Sequence, residues 1–153
     1  MNPETLIIEN ENALTDLAAR IAPLLKKGDV LTLHGDLGAG KTTFARALIR
    51  VLARKDDEEV PSPTFTLVQV YDFETFSVYH FDLYRLEEKE NDILELGWDD
   101  ARREGVCLVE WPERLGTLLP RDRLDIIINF HNNKEGMREI ILHPYGAWEN
   151  RLS

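Results

Sequence analysis

The stretch LTLHGDLGAGKTTFARALIR, Leu31–Arg50, decides the reading of this chain. An apolar, strand-like run meets a glycine-rich turn, then Lys-Thr-Thr, then a segment with helical spacing. Gly35, Gly40, Lys41 and Thr42 satisfy the phosphate-loop pattern G-x-x-x-x-G-K-[ST], and the strand before it and helix after it are the context that the pattern requires. Each part has a physical task. Gly35, Gly38 and Gly40 permit positive φ and let backbone N–H groups come close to an anion. With Asp36, Leu37 and Ala39 they form a concave nest at the positive end of the following helix. Lys41 adds a point charge for β- and γ-phosphates, and the Thr42 hydroxyl is placed to ligate Mg²⁺. Thr43 reads either as a contact on the α-phosphate side or as a polar residue of the helix start. The loop therefore predicts a nucleoside triphosphate with magnesium.

Outward from the loop, the chain reads as one α/β domain. Its 153 residues suit a single hydrophobic core. Leu6–Ile8 predicts an edge strand. From Ala13, the positions Leu14, Leu17, Ala18, Ile21, Leu24 and Leu25 repeat at helical spacing, with Pro23 weakening the last turn and Gly28 ending it. Val30–His34 predicts a strand and Thr42–Ala53 a helix that buries Phe44, Ala45, Leu48, Ile49 and Leu52. Lys55–Glu59 is a solvated loop and Ser62-Pro63-Thr64 a turn. Phe65–Phe73 and Val78–Tyr84 predict an antiparallel hairpin. Two short helices, Glu87–Leu96 and Asp99–Glu104, precede a buried strand, Val106–Val109. Leu124–Phe130 and Arg138–Leu142 predict strands joined by a turn at Gly136, and Ala147–Leu152 a last helical turn or a frayed end.

Composition excludes several classes. No apolar run approaches the roughly 20 residues of a membrane-spanning helix, and the acidic start MNPETLIIENEN does not read as a secretory signal. The single cysteine, Cys107, allows no internal disulfide and reads as core filler in a reducing compartment. The formal net charge of −10 argues against autonomous binding of nucleic acid; the acidity reads either as solubility or as a surface that meets a basic protein partner.

A phosphate loop needs a second acidic group near its metal, usually at the C-terminal end of a neighbouring buried strand. Glu110, closing VCLVE, and Asp82, in VYHFDLYR, both fit. Trp111 reads either as a neighbour of the nucleotide or as packing against the sheet end. His34 reads as a packed core histidine, His80 as a partner-facing or structural residue on the face opposite Tyr79 and Phe81. No histidine carries zinc-ligand spacing. A GTPase would show D-x-x-G and N-K-x-D; no Asp here has Gly three residues later, and Asn133-Lys134 is followed by Glu-Gly, which favours ATP. Three functions fit these residues: an ATPase that serves a partner, a small-molecule kinase, and a nucleotide-gated binding module with negligible hydrolysis.

The segments GDLGAGKTTFARAL (Gly35–Leu48), SPTFTLVQVY (Ser62–Tyr71), VYHFDLYRLEE (Val78–Glu88), LELGWDD (Leu94–Asp100) and CLVEWPERLG (Cys107–Gly116), in this order, resemble the TsaE family (formerly YjeE) over about Ala13 to Leu142. The resemblance implies a P-loop fold with a mixed parallel and antiparallel central sheet flanked by helices. It implies a weak, cytoplasmic, Mg-dependent ATPase that acts with the TsaB and TsaD proteins in forming threonylcarbamoyladenosine in tRNA, meeting the tRNA only through that complex. Carried onto this chain, Gly35–Thr43 hold phosphate and metal. Thr42 and Glu110 are the magnesium ligands, directly or through water. Asp82 orients the metal shell or the attacking water, and Ser62, Pro63 and Thr64 form a switch that reads the γ-phosphate. The adenine side maps to Glu11-Asn12 and the turn at Gly136.

Overall fold

The computed structural model describes residues 3–55, 57–86, 90–131 and 135–152. Asp56 of the acidic loop, Glu87–Lys89 at the expected helix start, and Asn133-Lys134 in the turn before Gly136 lie outside the described residues. Among the described residues seven strands make one sheet: β1 (Glu4–Ile8), β2 (Val30–His34), β3 (Val68–Asp72), β4 (Ser77–Asp82), β5 (Gly105–Glu110), β6 (Arg123–Phe130) and β7 (Arg138–Tyr145). Their spatial order is β1-β7-β6-β2-β5-β4-β3. β2 is parallel to both β5 and β6, and β4 is parallel to β5. The edges are antiparallel: β3 on β4, β7 on β6, β1 on β7. The mixed sheet with flanking helices in a single domain is the expected architecture.

Among the described residues five α-helices accompany it: α1 (Glu11–Ile21), α2 (Lys41–Ala53), α3 (Glu90–Glu95), α4 (Trp98–Glu104) and α5 (Trp148–Arg151). α1 starts two residues earlier than its apolar stripe, because the Asn10 side chain accepts a bond from the Ala13 N–H and caps it. Pro23 turns the chain after Ile21 into a 3-10 turn, Ala22–Leu24.

The central strands are apolar on both faces, as helix-covered parallel strands require. Leu31, Leu33, Val106 and Leu108 face α1 and α2, where they meet Leu17, Phe44, Leu48 and Ile49. Val30, Phe81, Cys107 and Val109 face the other way, against Ile93 and Trp98. Cys107 is fully buried, and burial pushes its thiol up to about 12. α5 is a helical turn, not a frayed end. Trp148 is buried, and Arg151 clasps Asp29 with bonds of 2.6 and 2.9 Å. Among the described residues no helix is long and apolar enough to cross a membrane.

Two expectations are corrected. Phe65–Leu67 is not strand: the Leu67 N–H bonds back to the Pro63 carbonyl at 2.8 Å and Leu67 takes φ 69°, so the ladder begins at Val68. That turn leaves Phe65 81 % exposed. His34 is not packed in the core. Its side chain is one-third exposed at the strand end, bonded to Thr32 Oγ1 at 3.0 Å and 3.8 Å from Asp125.

Candidate functional site

β2 ends at His34, and the chain turns through Gly35–Gly40 into α2. Gly38 and Gly40 adopt φ 79° and 115°, and a Cβ at either would meet nothing within 4 Å, so both open onto the cleft. Gly35 is different. A Cβ there would sit 2.6 Å from the Ile128 carbonyl oxygen of β6 and 3.2 Å from the Ala39 Cβ. Only glycine lets the loop lie this close to the sheet. Ala39 is buried beneath the turn, while Asp36 and Leu37 are exposed. Arg138 of β7 reaches across to donate to the Ala39 carbonyl at 2.7 Å, a prop for the loop that no local motif announces.

The Lys41 ammonium is tucked under the loop. It donates to the Gly35 carbonyl and lies 3.6 Å from the centroid of the Trp111 ring. Burial lowers its pKa, against the pull of Glu110, Glu113, Asp82 and Asp36. An arriving anion would meet a cation already surrounded by carboxylates and aromatic surface.

The acidic pair is set by strand register. Asp82 and Glu110 close the neighbouring parallel strands β4 and β5 and are register partners. Alternation places both on the face of Val78 and Val106, toward α2. Glu110 accepts from the Thr42 hydroxyl through both oxygens, at 2.9 and 3.1 Å, and is 3 % exposed. Asp82 accepts from the Tyr84 N–H at 3.0 Å and from Thr64 at 3.4 Å. Burial raises its pKa; the Tyr84 bond opposes this and the Glu110 charge adds to it. Ser62 and Thr64 are linked at 2.7 Å, and Pro63 between them is buried. The predicted turn thus meets the predicted carboxylate.

A cleft of about 300 Å³ gathers Gly38, Gly40, Lys41, Thr42, Thr43, Thr64, Asp82, Glu110 and Trp111. Trp111 lines it and is not merely packed against the sheet end. Its φ of 59° is a left-handed conformation that a bulky residue rarely holds, a kind of strain that concentrates at functional sites. Glu11 and Gly136 line a separate cavity of about 150 Å³ with Gly40, Thr43 and Arg138. Thr43 borders both spaces, so the two regions adjoin across the start of α2.

Sequence reading missed Tyr84, whose ring lies 4.8 Å from Trp111 at a tilt of 47°, and the role of His80, which is buried rather than partner-facing and whose Nε2 lies 2.7 Å from Glu110 Oε2. The first followed from nothing local. The second was signalled by the shared parity of His80 and Asp82, once β4 is known to lie beside β5.

The Thr42 hydroxyl and the Asp82 and Glu110 carboxylates are hard oxygen donors of the type that suits magnesium. Among the described residues no group of three or more His, Cys, Asp or Glu side chains could hold a metal alone. A cation here would draw its remaining ligands from a bound anion and water, the usual arrangement for magnesium with phosphates.

The family model for TsaE, threonylcarbamoyl adenosine biosynthesis protein, matches residues 8–140. The tRNA threonylcarbamoyladenosine biosynthesis protein TsaE of Bacillus subtilis is 42 % identical over 139 residues, covering 90 % of this chain and 82 % of that protein. Its namesake in Rickettsia felis is 38 % identical over 136 residues, covering 89 % and 78 %. The crystal structure of Bacillus subtilis YdiB superposes with a TM-score of 0.77 at 33 % identity, covering 99 % of this chain and 92 % of that one. With the mixed seven-stranded sheet and the phosphate-loop geometry, these matches show that the chain belongs to the TsaE family of threonylcarbamoyl adenosine biosynthesis proteins.

Proposed function

We propose that this protein binds ATP with Mg²⁺ in the cleft beneath Trp111 and hydrolyses it slowly, as a cytoplasmic accessory to TsaB and TsaD in the threonylcarbamoyladenosine modification of tRNA. The observation that carries this reading is the convergence of Lys41, Thr42, Asp82 and Glu110, from three elements, on one cleft floored by the glycine loop.

The loop N–H groups and Lys41 bind the phosphates. Bound magnesium would neutralise phosphate charge, held by Thr42 and Glu110. Asp82, close beside Glu110 on the neighbouring strand end, orients water at the cleft mouth. Thr64, hydrogen-bonded to Asp82, links the state of the cleft to the exposed segment that carries Phe65. Glu11 and Gly136 stand on the side where the adenine base would extend past Thr43. The relatives' names supply the tRNA pathway, and the −10 charge suits a protein that leaves the grip on tRNA to its partners.

The test is phosphate release from ATP, alone and with TsaB and TsaD, together with reconstitution of the tRNA modification. Slow release that depends on magnesium, and modification that stalls when this protein is omitted, are the expected results. Label moving from γ-phosphate to a small metabolite would replace the reading by a kinase.

A further inference from the structure

His80 is a fully buried polar side chain with only half its hydrogen-bonding capacity used. Its Nε2 meets Glu110 Oε2 at 2.7 Å, while its Nδ1 has no partner. A buried unpartnered nitrogen costs stability, and an apolar side chain of the same shape would avoid that cost. The residue is therefore poorly explained as core packing.

The two oxygens of Glu110 are held unequally. Oε2 takes the His80 bond and the shorter Thr42 bond, 2.9 Å, whereas Oε1 takes only the longer one, 3.1 Å. A carboxylate only accepts, so the ring donates from Nε2. Thr42 is itself a candidate ligand for the cation and is a poor permanent tether. His80 has no exposure and stands on the neighbouring strand, where its register partner is Leu108, two residues before Glu110.

We propose that His80 is a positioning residue that pins Glu110 Oε2 to the sheet and so presents Oε1 as the oxygen facing magnesium. Partners of this kind, one bond behind a metal ligand, fix its orientation, and their loss typically lowers metal affinity about 10–100-fold. The inference rests on the reading that Thr42 and Glu110 hold magnesium with the nucleotide.

The test is calorimetry of ADP binding with and without Mg²⁺, on wild type, His80→Phe and His80→Gln. In wild type, magnesium tightens ADP binding. In His80→Phe, magnesium-free affinity stays within about twofold while the gain from magnesium falls about tenfold or more. His80→Gln, which can still donate from its amide, recovers part of the gain. A folded His80→Phe protein that keeps the whole gain overturns the proposal. A wild type with no magnesium gain overturns the magnesium reading itself, and this proposal with it. Ring ¹⁵N NMR of the wild type needs no variant: the expected signature is a hydrogen-bonded, protonated Nε2 in both the free and the Mg·ADP-loaded protein. A ring protonated at Nδ1 alone, or an Nε2 signal lost on loading, also refutes it.

Discussion

Replacing Gly35 by alanine tests whether the phosphate loop is held by the sheet behind it. The new Cβ would stand 2.6 Å from the Ile128 carbonyl oxygen, on a β6 strand fixed between β2 and β7. Backbone cannot swing away as a side-chain tip can, so the loop itself must move. Forced overpacking costs about 1–3 kcal/mol, and a positive φ adds about 1–2 kcal/mol for a residue with a Cβ. The sum, about 2–5 kcal/mol, lowers the melting temperature of a domain this size by roughly 5–15 °C. The Gly35 carbonyl also accepts from Lys41, so displacing the loop displaces the ammonium and weakens nucleotide binding. Gly38→Ala is the internal control. It carries the φ term without the collision, since nothing lies within 4 Å of its Cβ. Thermal melts give the stability of both variants. Nucleotide titration can be followed through Trp111, which lines the cleft, whereas Trp98 and Trp148 do not. A Gly35→Ala protein that melts within about 2 °C of the Gly38→Ala variant would refute the argument, since the overpacking term alone predicts more than that.

Further tests bear on the chemistry. Lys41→Ala should weaken triphosphate binding by the ~1.5–3 kcal/mol of a charge-assisted contact and abolish hydrolysis; unchanged binding by calorimetry would remove the phosphate-loop assignment. Glu110→Ala should lower kcat far more than nucleotide affinity, because a cation-holding carboxylate acts mainly on the transition state; steady-state kinetics preserving kcat within about twofold would hand that role to Asp82. Burial pushes the Asp125 carboxyl up, but the His34 ring 3.8 Å away and the bonds from Thr32 and Arg123 outweigh this and hold it below its ordinary 3.8. The stability it supplies is complete above that value and fades as pH falls through the lower folded value, so Asp125→Asn should melt below wild type at neutral pH, with the gap closing in melts below about pH 4. Thr64→Ala should narrow the difference between ATP-analogue and ADP states in affinity for the TsaB–TsaD pair; equal pull-down in all states of the wild type would reduce Ser62–Thr66 to a constitutive scaffold.

The parts of the site legible in the sequence are those written contiguously or at strand ends. Gly35–Thr43 is one unbroken segment, so its geometry follows from local spacing. Asp82 and Glu110 were legible because a carboxylate closing an apolar strand is conspicuous. What stayed hidden depended on which strands are neighbours. His80 reaches Glu110 only because β4 lies beside β5 in one register, and Arg138 props Ala39 only because β7 folds back along β6. The misread stretch, Phe65–Leu67, has strand-like composition, but Pro63 starts a turn that Leu67 completes with a positive φ, a local conformation that composition does not encode. His34 was misjudged because strand alternation says which face a side chain takes, not how near the strand end it lies.

The strand order also constrains when the site can exist during synthesis. β2, which delivers the loop, has as its neighbours β5 and β6, chain segments that lie more than seventy positions downstream, as the pairings of Val30 with Cys107 and Leu31 with Leu124 record. The glycine turn therefore leaves the ribosome long before the backbone it leans on. β1 waits longer still, since Glu4 pairs with Leu142. Such a topology has high contact order and folds late and slowly. A nascent chain stalled before β6 would display β2 as an unpaired apolar edge, the kind of surface that draws chaperones or aggregates.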